Sequence, residues 1–272
     1  MPPRIRAGPA GTTVVTMTPR RTTGALLTAA VAAALLAGCS SAATPAATPA
    51  APAAPAAPAK DQAVACTAAV ALDSSIPPGI DPDGPAPSAQ QMQAWAATVA
   101  PHLATLQANA PDVLAAPLKT YADQLAQAQA GQRLDLSDAA NVGATTTLDG
   151  WVFDTCGFQT LDVTSSAGTL SGLPTGLAPG PVAIRFRTTG DPSAFVLLTA
   201  RVKDGQTVTP QQLDSGGVDM EQVTEIVSGA QVAGPDAAYS VATLQPGDYV
   251  VSAVLGTPPA FAGTTSGAFT VS

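Results

Sequence analysis

The chain has 272 residues, with 11 basic side chains, 19 acidic ones and three cysteines. That length holds one large or two ordinary domains. Four of the bases, Arg4, Arg6, Arg20 and Arg21, precede Cys39 and no acid does, so the chain from Cys39 onward sets seven bases against 19 acids, a net charge of −12. Phosphate binding needs a Lys/Arg patch, so nucleic acid is excluded as a partner. The same balance argues against electrostatic docking on anionic lipid heads.

The N-terminus reads as an address. Arg20 and Arg21 form a positive segment, an uncharged apolar run follows over 24–37, and it ends in Leu36-Ala37-Gly38-Cys39. The run is too short for a permanent span, which needs about 20 apolar residues. Small residues at Ala37 and Gly38 suit a signal peptidase. The Cys39 thiol is the expected acceptor of a diacylglyceryl group, with palmitate-type acyl chains. Residues 1–38 therefore read as a lipoprotein signal peptide. Met17 opens a compact version of the same signal and is the expected translation start. Thr22-Thr23-Gly24 after the arginine pair lacks the hydrophobic residues of a twin-arginine signal, which favours the general secretory route. Two or three acyl chains anchor stably, at roughly 0.8 kcal/mol per buried CH₂. The expected location is the extracytoplasmic face of the cell membrane.

Residues 39–59 form an Ala/Pro-rich linker. Pro49, Pro52, Pro55 and Pro58 recur at every third residue, the period of polyproline II. At about 3.1 Å per residue the linker spans roughly 50 Å. Thr44 and Thr48 are candidates for O-linked sugars in this context.

Residues 60–157 carry a helical pattern. A short helix is expected around Val64 to Leu72. Ser88 and Gln91 form a capping box, and Met92, Trp95, Val99, Leu103 and Leu106 make one apolar stripe. Pro101 interrupts that stripe and is expected to kink or split the helix. Pro111 is placed to open the next helix, with Leu114, Leu118, Tyr121 and Leu125 as its stripe, although Pro117 also offers a start. Ser137 is the expected cap of a last helix carrying Val142, Leu148 and Val152. These elements make a small antiparallel bundle. With Cys39 assigned to lipid, Cys66 and Cys156 remain, in the first and last helices. Outside the cytoplasm such a pair is expected to form a disulfide. No Cys-x-x-Cys or metal-ligand spacing supports a redox pair or a metal site.

Residues 158–272 switch to strands. Val182, Ile184 and Phe186 alternate with small or polar residues, and β-rich runs cover 195–202, 239–244, 249–255 and 268–272. Pro246-Gly247 marks a turn. Short strands between Gly/Pro turns predict an antiparallel β-sandwich. The fold class is therefore α+β.

The junction 153–164, the stretch Gly180-Pro181-Val182-Ala183-Ile184-Arg185-Phe186, and Leu244-Gln245-Pro246-Gly247-Asp248-Tyr249-Val250 resemble an uncharacterised actinobacterial lipoprotein family. In that family a helical module precedes a cupredoxin-like sandwich, and the resemblance covers about 62–272. A copper-binding cupredoxin uses two His, a Cys thiolate and a weak axial ligand. The corresponding His positions fall near Ser193-Ala194 and within 257–263, and neither place holds a His. Ser252 stands where a Cys ligand is expected. The resemblance thus implies a sandwich without copper ligands.

Other candidate chemistry is sparse. His102 is the only histidine and has no selected partner nucleophile. Asp81-Pro82-Asp83-Gly84 is a turn, with Met92 where a calcium loop needs Glu. Gly168, Gly172, Gly176 and Gly180 read as loop glycines. Glu221 and Glu225 lie at helical spacing and read as a solvated face. No catalytic residue, metal site or cofactor is assigned. The leading expectation is a membrane-anchored, non-catalytic binding or scaffold module whose ligand is protein, glycan or lipid. Two others stay open: a copper-related or electron-transfer accessory protein, and a cell-wall glycan hydrolase using a carboxylate pair.

Overall fold

The computed structural model describes residues 59–79, 85–190, 192–232, 234, 236–257 and 260–272. Four α-helices come first: α1 (Gln62–Asp73), α2 (Ala89–Asn109), α3 (Ala115–Gln129) and α4 (Ala139–Thr155). Nine strands follow: β1 (Gln159–Ser166), β2 (Thr169–Ser171), β3 (Gly176–Leu177), β4 (Gly180–Thr189), β5 (Ala194–Val202), β6 (Thr224–Gln231), β7 (Ala238–Leu244), β8 (Gly247–Thr257) and β9 (Ala260–Val271). Two short helices, α5 (Pro210–Asp214) and α6 (Met220–Val223), sit between β5 and β6.

Side-chain caps set the helix starts. Asp61 accepts from the N–H groups of Ala63 and Val64, and Ser88 and Gln91 form the reciprocal capping box before α2. The cap of α4 is Asp138, whose carboxylate accepts from Ala140 and Asn141. The expected Ser137 instead bonds back to Asp135. A carboxylate beside the first-turn N–H groups is favoured by the helix dipole as well as by hydrogen bonding. α2 runs through Pro101 without being split. Pro117 falls in the first turn of α3, where a missing N–H costs little because the first four N–H groups have no helical partner. Pro111 opens a single 3₁₀ turn, Asp112–Leu114, rather than the helix itself.

The strands form two sheets, ordered β2-β1-β4-β7 and β3-β9-β8-β5-β6. The α+β class holds, but the sandwich is mixed rather than wholly antiparallel. β1 pairs parallel with β4 (Leu161 opposite Ile184), and β3 pairs parallel with β9. The chain between β1 and β4 leaves the first sheet to place β3 against the second, and it returns to β4 running in the direction of β1. Leu161, Val163, Val182, Ile184, Phe186, Leu197, Tyr249, Val251 and Phe269 fill the space between the sheets. Tyr249 stacks on Phe269 with ring centroids 5.2 Å apart. Its hydroxyl accepts from the N–H of Gln245 and donates to that residue's carbonyl, tying down the Pro246-Gly247 turn.

The helices share a core with the outer face of the first sheet, distinct from the sandwich interior, and belong with the sandwich to a single compact unit. Ala183 of β4 and Val241 of β7 are cross-strand partners. Both point away from the sandwich interior and are buried among Leu72, Val99, Leu148 and Val152. The first sheet is therefore covered on both faces, which explains why Val182, Ala183 and Ile184 are all buried in succession. At the rim of this layer the Arg185 guanidinium lies 4.6 Å from the centre of the Phe153 ring. It is also bonded to Asp162, and Arg187 reaches the same carboxylate. These donors hold the Asp162 carboxyl below its ordinary pKa, Arg185 first among them.

Candidate functional site

An enclosed cavity lies inside the bundle, between the end of α1 and the middle turns of α2 and α3. Its volume is about 110 Å³. α1 contributes Leu72 and Asp73, α2 contributes Trp95, Val99 and Leu103, α3 contributes Tyr121, Gln124 and Leu125, and α4 contributes Thr145. Leu134 and Leu136, before α4, close one side. Most of this wall is apolar. Several of its polar groups have partners within the protein. The Trp95 indole N–H donates to the carbonyl of Ser75 at 2.7 Å, and the Tyr121 hydroxyl donates to Thr145 Oγ1 at 3.0 Å. Asp73 Oδ2 accepts from the backbone N–H of Val241 at 3.0 Å.

Asp149 completes the group from one helical turn beyond Thr145, on the same buried face of α4. It is 1% exposed, and neither carboxylate oxygen has a hydrogen-bond partner within the protein. An ionised carboxylate in that position is costly, so the proton is retained. Burial, then the charge of Asp73, pushes Asp149 well above the ordinary carboxyl range. Burial also pushes Asp73 up, to about 6, against the lowering effect of the Val241 hydrogen bond. Asp73 keeps some solvent access, so it is the member of the pair that ionises first. Tyr121 is pushed well above 10, by burial and then by the two acids, and stays protonated. The site at neutral pH therefore combines one carboxylate, one carboxylic acid and two aromatic rings.

Sequence reading did not pick out this group. Asp73 and Asp149 are two of 19 acids, and they come from the first and last helices of the bundle. The available signal was an Asp directly after the buried Leu148, on the apolar face of a helix.

Residues of the two apolar stripes, among them Trp95 and Tyr121, line this cavity, and the candidate site residues singled out in the sequence lie elsewhere. Leu36, Ala37, Gly38, Cys39, Thr44 and Thr48 fall outside the described residues, as do residues 81–84, where a turn is expected. Cys66 and Cys156 are joined as a disulfide. His102 lies in a shallow groove with Val64, Thr67 and Thr105. Both threonine hydroxyls there donate to carbonyls of their own helices, which leaves no activated nucleophile beside the imidazole. Trp95 lines the cavity, whereas Trp151 packs into the bundle core. Glu221 is in α6 and Glu225 in β6, so their helical spacing is not realised.

The segments expected to carry copper ligands come close together: the N–H of Gly256, just before 257–263, donates to the carbonyl of Ser193 at 2.8 Å, and the rings of Phe195 and Phe261 lie 6.4 Å apart. Ser252 is not with them. It sits within β8, opposite Leu198 and Ser266, with its hydroxyl bonded to that of Ser266. Among the described residues no group of three or more His, Cys, Asp or Glu gathers as a metal site.

No protein-family model and no curated protein matches the chain. Similar solved structures include auracyanin A, a "blue" copper protein from the green thermophilic photosynthetic bacterium Chloroflexus aurantiacus. It is 15% identical, spans 42% of this chain and 98% of its own, and has a TM-score of 0.28. Reduced auracyanin from Roseiflexus castenholzii is 13% identical over 42% of this chain and 98% of its own, with a TM-score of 0.28. Reduced rusticyanin is 16% identical over 42% and 81%, with a TM-score of 0.24. At these scores the likeness says nothing about copper in this chain.

Proposed function

We propose that this chain is a lipid-anchored extracytoplasmic binding protein, non-catalytic, whose binding site is the cavity inside the bundle. The Leu36-Ala37-Gly38-Cys39 motif supports lipidation at Cys39, and the 39–59 linker supports display away from the membrane. The observation that carries the binding reading is the cavity itself. It is concave and mostly apolar, with a few convergent polar groups and a buried acid behind them, which is the usual composition of a small-molecule site. Its volume of about 110 Å³ suits a molecule of few heavy atoms.

The same volume weighs against wall-glycan hydrolysis by Asp73 and Asp149. A glycosidase places its two carboxyls on either side of a scissile bond in a chain of sugars, and a cavity of this size takes no such chain. The copper-related reading has no ligand set behind it at Ser193, Ala194 or Ser252.

The test is native mass spectrometry of the full lipidated protein, released from host membranes in mild detergent, before and after adding copper. A retained small mass is the expected result. A bare protein mass, together with an unchanged Trp95 indole signal across a panel of small molecules, would overturn the cavity reading and point to a macromolecular partner. Stoichiometric copper uptake would reinstate the metal-linked alternative.

A further inference from the structure

The cavity wall carries acid and no base. All seven basic side chains after Cys39 are committed elsewhere. Lys60 pairs with Asp112, Lys119 with Asp123, Arg185 and Arg187 with Asp162, and Arg201 with Asp204. Lys203 donates to the carbonyls of Glu221 and Gln222, and Arg133 acts on Asp135. Asp149 thus lies in the field of Asp73 with no protein cation to offset it. A pair kept only for stability would gain from such a partner or from replacement by apolar groups.

The wall around the acids is equally specific. Trp95 and Tyr121 present aromatic rings to the same space, and ring faces attract cations, more strongly where water is excluded. Leu72, Val99, Leu103 and Leu125 supply an apolar lining for a short hydrocarbon. An anion is disfavoured by the Asp73 carboxylate. A neutral polar ligand would leave the charge of Asp73 uncompensated.

We propose that the cavity binds a small organic cation, a primary alkylamine of about four carbons, with its ammonium group on Asp73 and its alkyl chain against the leucine-rich wall. The proposal rests on the cavity being the binding site. Asp149 does not line the cavity and acts through its charge. The bound ammonium donates to Asp73, and its field leads Asp149, behind the wall, to give its proton to solvent. One proton is released for each ammonium bound. The titratable groups facing the ligand are Asp73 from α1 and Tyr121 from α3, with Asp149 of α4 buried behind the wall. α2 and the 134–136 segment add Trp95, Val99, Leu103, Leu134 and Leu136, none of which titrates.

The experiment uses the full-length protein in detergent and three matched probes: n-butylamine, n-butanol and butyrate. The readout is the Trp95 indole N–H resonance, assigned with Trp151→Phe. Calorimetry in two buffers of different ionisation enthalpy reports the proton released. Butylamine is expected to shift the resonance saturably at pH 7, at least tenfold more tightly than butanol, with no effect of butyrate. Asp73→Asn, which keeps an oxygen for Val241, is expected to weaken butylamine at least tenfold. Asp149→Asn is expected to remove the proton release. Equal or tighter binding of butanol would overturn the cation assignment and leave the binding site standing. Unchanged butylamine affinity in Asp73→Asn would overturn it as well. Silence of the resonance to all three probes would remove the site and the cation together.

Discussion

Asp73, the last residue of α1, and Val241, within β7, are 168 positions apart and joined by a 3.0 Å hydrogen bond. β7 is an edge strand of the first sheet, and Val241 is 1% exposed. A buried edge N–H needs an acceptor, and the helix supplies it. Asp73→Ala removes that acceptor and is expected to cost about 1–3 kcal/mol. Asp73→Asn keeps an oxygen in place and sheds a poorly solvated charge, so it is expected to be near neutral at pH 7. Urea unfolding of the two variants checks the difference, and equal losses would show that the hydrogen bond contributes little.

The acid pair also fixes how stability varies with pH. Asp73 and Asp149 both have folded pKa values above the unfolded 3.8, Asp73 at about 6. Between those values the folded chain binds more protons than the unfolded one, so stability falls as pH rises. The lowered carboxyls, Asp112, Asp135 and Asp162, act in the opposite sense and only as pH drops through their depressed range, below 3.8. The window from about pH 4 to pH 7 therefore belongs to the buried pair. Unfolding midpoints are expected to decline across it in the native chain. The decline should flatten in Asp149→Asn, and an unchanged slope would show that Asp149 is not a raised acid.

Cys66 and Cys156 close a loop with a sequence separation of 90. In the chain-entropy model a loop of that length stabilises the fold by about 4–5 kcal/mol. Replacing both cysteines by Ala is expected to lower unfolding free energy by several kcal/mol, with α1 the first element to lose hydrogen-exchange protection. Its remaining attachments are packing against α2, β7 and α4, with the Gln62–Thr155 and Asp73–Val241 hydrogen bonds. Uniform loss of protection across all four helices would argue that the bond stabilises the bundle as one piece.

Gly172 has φ +85°, and a Cβ there would stand 2.0 Å from the carbonyl oxygen of Asp162. Backbone cannot move aside as a flexible side-chain tip can. Gly172→Ala is expected to destabilise by more than about 2 kcal/mol, since strain in the left-handed region adds to the clash. Gly205→Ala, at a similar φ but with open space around it, supplies the control and is expected to cost only the conformational part. Equal effects in the two would remove the close approach as a cause.

The proposed lipidation rests on one thiol. Cys39→Ala is expected to abolish incorporation of labelled palmitate and to move the protein out of the membrane fraction. Retention of the label would place the anchor elsewhere.

The amino-acid sequence by itself determined what depends on neighbouring residues. The Ser88–Gln91 capping box and the apolar stripes of α2 and α3 follow from three- and four-residue spacing. The alternation in β4 follows from a period of two. The Cys66–Cys156 bond was legible because only two thiols remained to pair. Local signals misled where a competing neighbour was nearly as good: Asp138 takes the cap expected of Ser137 because its carboxylate is the better acceptor for two N–H groups. β6 and the glycine-rich start of β9 were not read as strands, since their pairing with β5 and β8 overrides weak propensity.

What only the tertiary structure decided is everything that couples distant segments. The parallel pairing of β1 with β4 depends on the path taken between them. The burial of Ala183 and Val241 depends on the bundle covering the outer sheet face. The cavity depends on four helices converging, and its chemistry depends on Asp73 and Asp149 losing water together. A carboxylate's pKa is set by the solvent and charge around it, and neither is written in the residues beside it in the chain.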